Sequence, residues 1–288
     1  MAPDRYAVIG HPVAHSRSPA IHAAFARQTG QALVYERVLA PLEGFAATVR
    51  AFAEDAQNPG RGCNVTVPFK FEAWQLAGRH TERARLAGAA NTLRFDGGPQ
   101  PAGWLADNTD GVGLLRDIEN NAGFTLTGRR VLLVGAGGAA AGVLGPLLAA
   151  RPAKLVLANR SLGKAEVLAE SHAAWAQQHG AALATATLQA PGEGYDLVIN
   201  ASASSLQGAA APVPAGVLGA GALAVDLMYG AAAAPFLAWA RAHGAQARDG
   251  LGMLVEQAAE AFELWRGVRP LTAPVLQALR AEVDAQAP

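Results

Sequence analysis

The chain has 288 residues, 51% of them hydrophobic and 16% charged, enough for about two domains with sizeable cores. Its 23 basic and 23 acidic residues balance, which excludes the broad basic footprint of a nucleic-acid or anionic-membrane binder. The single cysteine, Cys63, cannot form an intrachain disulfide, and that fits a reducing cytoplasm. The opening MAPDRYAVIG lacks a basic stretch followed by a long apolar one, so no signal peptide is expected, and RYAVIG (5–10) reads as a strand. SPAIHAAFARQTG (18–30) reads as a helix with Ser18 at the N-cap, Pro19 at the first position and Gly30 past the end. LVYERVLA (33–40) reads as a strand and LEGFAATVRAFAED (42–55) as a helix. GCNVTV (62–67) reads as a strand and FKFEAWQLA (69–77) as a helix behind Pro68. NTLRFDGGPQPAGWLADNT (91–109) reads as a hairpin turning at Gly97-Gly98, and a helix follows over about 111–121.

A second series then begins. Strand RVLLVG (130–135) meets the small-residue run GAGGAAAG, followed by a helix, strand KLVLAN (154–159) and helix LGKAEVLAESHAAWAQQHG (162–180). Strands YDLVIN (195–200) and LAVDLMY (223–229), helix APFLAWARAHG (234–244), and helices LVEQAAEAFELWRG and APVLQALRAEVDAQ complete the chain. No stretch of ~20 residues escapes polar interruption, so no membrane span is expected. Repeated β-α-β order with short connections argues for an α/β fold: two domains with mostly parallel sheets wrapped by helices, divided near residue 111.

The stretch GCNVTVPFK contains the sequon Asn64-Val65-Thr66, but a chain that is not secreted does not meet the glycosylation machinery. A different reason is needed for an apolar strand that ends in polar residues and a lysine. Lys70 falls in the first turn of a helix, where a cation faces the positive end of the helix dipole. That field favours the neutral amine, the direction useful for proton transfer, although a surface lysine can also sit there without a role. Asp110, in LADNTDGVG, lies between a strand and a helix. It serves either as a helix cap or, if it meets Lys70, as the partner in a proton relay. In HSRSP, Ser16 and Ser18 flank a helix start, where hydroxyls and free N–H groups can bind an anion such as a carboxylate, unless Ser18 is only a cap. His11, His15 and His22 have no cysteine or carboxylate spacing to match, and no metal site is expected.

VLLVGAGGAAAG joins a strand to a helix as a dinucleotide site requires. Gly135 permits the tight turn, Gly137 lets a pyrophosphate approach the backbone, and Gly138 and Ala140 allow close helix–sheet packing. After the next strand an NAD site would carry an acidic residue for the ribose diol. Asn159, Arg160 and Ser161 stand there instead, with Lys164 a turn later, a set that suits the 2′-phosphate of NADP or else forms a solvated basic turn.

Together these segments resemble the shikimate dehydrogenase family, the NADP-dependent enzymes of aromatic amino-acid biosynthesis. The likeness runs in family order through YAVIGHPVAHSRSP, NVTVPFK, AGAANTL, NTDGVG, VGAGGA, ANRS, INASAS, DLMYG and DGLGMLVEQAAEAFELW, nearly the whole chain. It implies a substrate-binding domain of residues 1–110 with 250–288, to which the C-terminal helices return, and a Rossmann-type NADP-binding domain of residues 111–249. Lys70 would be the acid–base residue and Asp110 its partner. Ser16 and Ser18 would bind the carboxylate of shikimate or 3-dehydroshikimate, with Tyr229 near it. Thr66, Asn91, Asp110 and Gln257 would hold the ring hydroxyls, with Asn64 beside them.

The resemblance assigns NADP to Gly135, Ala136, Gly137, Gly138 and Ala139, to Asn159, Arg160, Ser161 and Lys164, and to Ser202. Leu227, Gly250 and Met253 would line the nicotinamide end. It also places a cofactor-linked residue at Glu82, for which the sequence offers no physical account. The chain departs from the family at Ala141, where an arginine is frequent, at Ser202, where threonine is more usual, and in the apolar run AAAA (231–234). A quinate/shikimate dehydrogenase using NAD and a nucleotide-binding sensor without catalysis are the rival readings. Arg160 and Ser161 speak against the first, and Lys70 with Asp110 against the second. The expected partners are small molecules, without nucleic acid or membrane, in the cytoplasm. A homodimer is the assembly carried forward, although oligomeric state is not readable from the sequence.

Overall fold

The computed structural model describes residues 3–98, 100–202, 204 and 211–285. The α/β reading holds. One unit contains the residues up to Gly113 together with Val255–Gln277, and the other contains Leu114–Leu254 with the residues from Ala278 onward.

The sheet of the first unit has the order β2 (Leu33–Leu39), β1 (Asp4–Gly10), β3 (Gly60–Val65), β5 (Thr92–Arg94), β6 (Leu105–Asp107), β4 (Arg79–His80). β1 pairs in parallel with β2 and β3, while β5 is antiparallel to both β3 and β6. Helices α1 (Ser18–Thr29), α2 (Phe45–Ala53), α3 (Lys70–Leu76) and α4 (Glu82–Ala87) connect these strands. The core on one face joins Ile9, Phe45, Phe52, Cys63, Phe69, Leu93 and Trp104. Cys63 is free and buried, and burial drives its thiol well above the usual pKa. An aromatic group contains His22, Phe25, Tyr35, Phe262 and Trp265, the last two from α10 (Leu251–Arg266).

The sheet of the second unit is wholly parallel, in the order β12 (Gln246–Arg248), β11 (Leu218–Asp226), β10 (Tyr195–Asn200), β7 (Arg130–Val134), β8 (Lys154–Asn159), β9 (Ala182–Thr187). Helix α6 (Gly138–Ala149) follows β7, α7 (Leu162–Ser171) and α8 (Ala173–Gln178) follow β8, and α9 (Ala234–Ala242) precedes β12. Central strands such as RVLLV and YDLVIN are almost uniformly apolar because helices cover both faces of a parallel sheet. Helix α5 (Asp110–Arg116) continues into a π-helical turn, Asp117–Asn121, and α11 (Ala273–Ala285) ends the described chain.

Several local readings are corrected. Ser18 is not a cap: Arg17 holds that position, without a side-chain cap bond, and Ser18 is the first helical residue with Pro19 behind it. Gly30 does terminate α1 in the left-handed region, at φ 64°. Asp110 is likewise the first residue of its helix rather than a cap. β3 ends at Val65, so Thr66 lies in the turn beyond it. The helix expected over 162–180 breaks at His172, whose buried ring bonds back to the Leu168 carbonyl. The short elements β4, α4, β9 and β12 were not anticipated. Pro99 of the hairpin, Ala203 of INASAS and Gln286 of the last helix lie outside the described residues.

Candidate active site

The antiparallel pairings in the first unit bring distant segments to one sheet edge. Asn64 near the end of β3 is in register with Thr92 at the start of β5, and Thr92 is in register with Asp107 at the end of β6. The residues flanking these positions must therefore meet: Asn64 to Lys70 from one strand exit, Asn91 from a strand entry, and Asn108 to Asp110 from another exit.

At that edge Lys70 Nζ donates to Asp110 Oδ2 at 2.6 Å. The side chains are only 15% and 7% exposed, so the pair is shielded from bulk water. The other carboxylate oxygen, Asp110 Oδ1, accepts from Asn91 Nδ2 at 2.8 Å. Asn91 Nδ2 also faces Gln257 Oε1 at 3.2 Å, and Thr109 Oγ1 donates to the same glutamine oxygen at 3.3 Å. Asn64 Nδ2 donates to the Asn91 carbonyl at 3.2 Å and to Thr92 Oγ1 at 3.0 Å. A buried amide or carboxylate costs free energy unless partnered, and here each partner is supplied by a neighbour in the same cluster.

Two supports hold this cluster from behind. Asp107, fully buried, accepts from Arg83 Nε at 2.6 Å and Nη2 at 2.5 Å and from Thr81 Oγ1 at 2.6 Å, while Arg83 Nη1 reaches Glu260 at 2.8 Å. This bidentate pair pins the segment that carries Thr109 and Asp110. The second support is Gly113. A Cβ there would lie 2.7 Å from the backbone nitrogen of Gln257, so the missing side chain lets α10 bring Gln257 against α5.

The two serines bond to each other rather than to the Lys70 group. Ser16 Oγ donates to Ser18 Oγ at 3.2 Å, and the Ser18 N–H donates to Ser16 Oγ at 3.3 Å. Arg37 clamps the loop by donating Nε and Nη2 to the Ser16 carbonyl at 2.9 and 2.6 Å, adding positive charge beside the hydroxyls. Thr66 is half-buried; a Cβ on Gly10 would meet its methyl group.

In the second unit β7 runs into the glycine loop. Gly135 has φ 111°, and a Cβ there would sit 3.0 Å from the Ala201 carbonyl carbon, so only glycine fits the turn. Gly137 is extended and exposed with open space on its Cβ side, and α6 starts at Gly138 without a side-chain cap. Ala136, Gly138 and Ala139 are partly exposed around it. Among the described residues no side chain bonds to the backbone N–H groups of this helix start, which fits a dinucleotide phosphate. Asn159 Nδ2 donates to the Ser161 carbonyl at 2.9 Å, and Arg160, Ser161 and Lys164 are exposed, with no ion pair for Arg160 or Lys164 among the described residues. A set of unpaired donors at this place suits a 2′-phosphate. Ala141, by contrast, is buried and brings no polar group.

Ser202 Oγ donates to Asn200 Oδ1 at 2.6 Å. Leu227 is half-buried against the core, Met253 is part of that core, and a Cβ on Gly250 would lie 2.3 Å from the Leu227 carbonyl oxygen. Among the described residues no group of histidine, cysteine, aspartate or glutamate could hold a metal, and no helix is long and apolar enough to cross a membrane.

Three family models cover most of the chain: the shikimate dehydrogenase substrate binding domain matches residues 8–93, the shikimate / quinate 5-dehydrogenase model residues 117–208, and the shikimate 5′-dehydrogenase C-terminal domain residues 250–280. A shikimate dehydrogenase (NADP(+)) of Methylibium petroleiphilum is 63% identical over 286 residues, covering 98% of this chain and 96% of its own. The chain belongs to the shikimate dehydrogenase family. Among solved structures, the Ael1 enzyme from Pseudomonas putida is 48% identical with a TM-score of 0.85, covering 96% of this chain and 98% of its own. The Thermus thermophilus shikimate 5-dehydrogenase in complex with NADP(H) and shikimate is 32% identical with a TM-score of 0.79, covering 96% of this chain and 99% of its own.

Against the residues that the shikimate dehydrogenase resemblance singled out, the structure joins Lys70, Asn91, Asp110, Gln257 and Asn64 in one bonded cluster of the first unit. Ser16 and Ser18 form a second cluster in that unit. Tyr229 belongs to the second unit, half-buried beside Gly230. Glu82 is the exposed first residue of α4 and has no hydrogen bond or ion pair among the described residues. The sequence reading missed Thr92, Thr109 and Arg83, which orient the cluster. A polar residue at or just past an otherwise apolar strand end was the signal for Thr92 and Thr109, while Arg83, in the six-residue helix α4, carried none.

Proposed function

We propose that this chain catalyses the reversible NADPH-dependent reduction of 3-dehydroshikimate to shikimate, with the first unit binding substrate and the second binding NADP. The observation that carries the reading is the 2.6 Å contact between Lys70 Nζ and Asp110 Oδ2, made by residues 40 positions apart and surrounded by amides suited to ring hydroxyls. Asn64, Thr66, Asn91, Asp110 and Gln257 hold those hydroxyls. Ser16 and Ser18, with Arg37 behind them and Tyr229 in attendance, take the carboxylate. Gly135 to Ala139 receive the cofactor pyrophosphate, Arg160, Ser161 and Lys164 the 2′-phosphate, with Asn159 and Ser202 beside them, and Leu227, Gly250 and Met253 border the nicotinamide. Glu82 remains a cofactor-linked position without a physical account.

When bound, the cofactor supplies or accepts the hydride. In the reducing direction Lys70 gives a proton to the carbonyl oxygen as that oxygen becomes an alcohol, and the neutral amine regains a proton from solvent. Asp110 orients the amine through one oxygen and is itself held by Asn91 through the other, so the proton donor is aimed before substrate arrives. In the oxidising direction the same amine accepts the hydroxyl proton. The exposed basic set at Arg160 to Lys164 supports NADP over NAD, and the NAD-dependent quinate reading is not favoured. We also infer a cytoplasmic enzyme that forms a homodimer, which light scattering tests. A spectrophotometric assay of shikimate and quinate, each with NADP and NAD, tests the reaction. Rapid NADP reduction with shikimate is expected, and no shikimate-dependent reduction would overturn the reading.

A further inference from the structure

Beyond the residues that face substrate, the first unit contains a run of buried hydrogen bonds that leads from β2 to Asp110. The run begins at Tyr35 in β2. Its phenol oxygen donates to Asn64 Oδ1 at 2.7 Å, and both side chains are buried. The ring is clamped by His22, stacked at 4.1 Å with planes 4° apart, and by Trp265 at 6.3 Å. His22 is itself fully buried and lays its ring face against the phenol.

The donors and acceptors along the run leave one arrangement. The Asn91 carbonyl can only accept, so the Asn64 amide must turn its Nδ2 toward it, at 3.2 Å, and its Oδ1 toward Tyr35. Asn64 Nδ2 also donates to Thr92 Oγ1, which sends the Thr92 proton on to Asn91 Oδ1 at 3.0 Å. Asn91 Oδ1, which also accepts the Thr109 N–H at 2.8 Å, then leaves Asn91 Nδ2 to hold Asp110 Oδ1. Tyr35 supplies the donor to Asn64 Oδ1 among the described residues. Without it that buried oxygen loses this donor, and the amide loses a contact that opposes rotation.

We propose that Tyr35 is a positioning residue for substrate binding: its hydroxyl donates to Asn64 Oδ1 and so holds the Asn64 amide in the orientation that the Asn91 carbonyl selects. The effect fades along the run, because Asn91 has a second anchor in the Thr109 N–H. The hydroxyl therefore governs substrate affinity more than proton transfer at Lys70. Burial also drives the phenol well above its usual pKa, so it stays a donor throughout the working pH range.

This inference rests on the reaction proposed above. The test measures shikimate binding by calorimetry without NADP, together with KM, kcat and Tm, for wild type, Tyr35→Phe, Asn64→Ala and the double variant. Tyr35→Phe should weaken shikimate binding and raise its KM about tenfold, leave kcat within about threefold, and leave the KM for NADP unchanged. Adding Tyr35→Phe to Asn64→Ala should cost no more than about twofold further, since the hydroxyl acts through that amide. Full additivity, an unchanged shikimate KM, or a parallel fall of kcat and Tm with no change in affinity would overturn the inference. Should Tyr35→Phe not fold, Asn64→Asp decides: it keeps the acceptor for Tyr35 but loses both donors, and shikimate affinity at the wild-type level would count against the proposal. A wild-type enzyme without shikimate turnover overturns both the reaction and this inference. An active wild type with an indifferent Tyr35→Phe overturns the inference alone.

Discussion

The two regions proposed to bind substrate and cofactor are built on opposite principles. The cluster around Lys70 and Asp110 is buried and bonded to itself, with each amide and carboxylate committed to a neighbour. The glycine loop and the Arg160–Lys164 turn are open, with backbone and side-chain donors left uncommitted. The hydroxyls of a small ring are distinguished by geometry, so a site for them is pre-organised by the protein. A phosphate brings its own charge and many acceptors, so its site needs only free donors at a helix start and a flexible cation. Substitutions in the first region should therefore disturb orientation and chemistry, and substitutions in the second should change affinity alone.

Lys70→Ala should break that contrast most severely. Turnover should fall by about 10²–10⁴ while NADP binding, read by fluorescence titration, stays near the wild-type value. Unchanged turnover would remove Lys70 from the proton path. Gly113→Ala should come next, because its Cβ would press on the Gln257 backbone. An overpacking cost of about 1–3 kcal/mol is expected in thermal melts, with shikimate KM raised more than NADP KM. Arg160→Ala should act only in the open region, raising the KM for NADP roughly tenfold while that for NAD and that for shikimate hold steady. A loss of shikimate affinity in that variant would dissolve the contrast.

A further effect concerns acid. Burial lowers the pKa of His22 from 6.5 to about 3, so the folded protein keeps it neutral. Below about pH 6.5 the unfolded chain binds a proton that the folded chain refuses, so this contribution to stability is full above pH 6.5 and declines as pH falls toward 3. One such group gives a slope of at most about 1.4 kcal/mol per pH unit. Denaturation of a His22→Phe variant between pH 6.5 and 4 should be less sensitive to pH than that of wild type.

Much of this organisation was legible in the sequence, for identifiable reasons. The strands RYAVIG and RVLLVG are long and apolar, and glycine or proline punctuates the helices next to them, so the α/β alternation could be read directly. β9 was missed because ALATAT is small and weakly apolar, and β4 and β12 because two or three residues carry no period. α4 was missed for its six-residue length. In the site, Lys70 and Asp110 stood out because each follows a strand and opens a helix. Tyr35 did not, since an aromatic residue in a strand is ordinarily core and its hydroxyl partner lies 29 residues away. Gln257 could be brought to the cluster only through the family resemblance, because no local pattern reports a contact 166 residues long.

That last contact has a consequence for how the protein is made. Val255–Gln277 belongs to the same unit as the residues up to Gly113, and α10 supplies both Gln257 and the rings of Phe262 and Trp265 that close around His22. A ribosome-bound chain that has emerged only as far as residue 113 has every strand of its first sheet but lacks part of its aromatic core and the glutamine that completes the Lys70 cluster. The unit that begins synthesis thus waits for residues 255–277, and by then every strand of the other unit's sheet has been made.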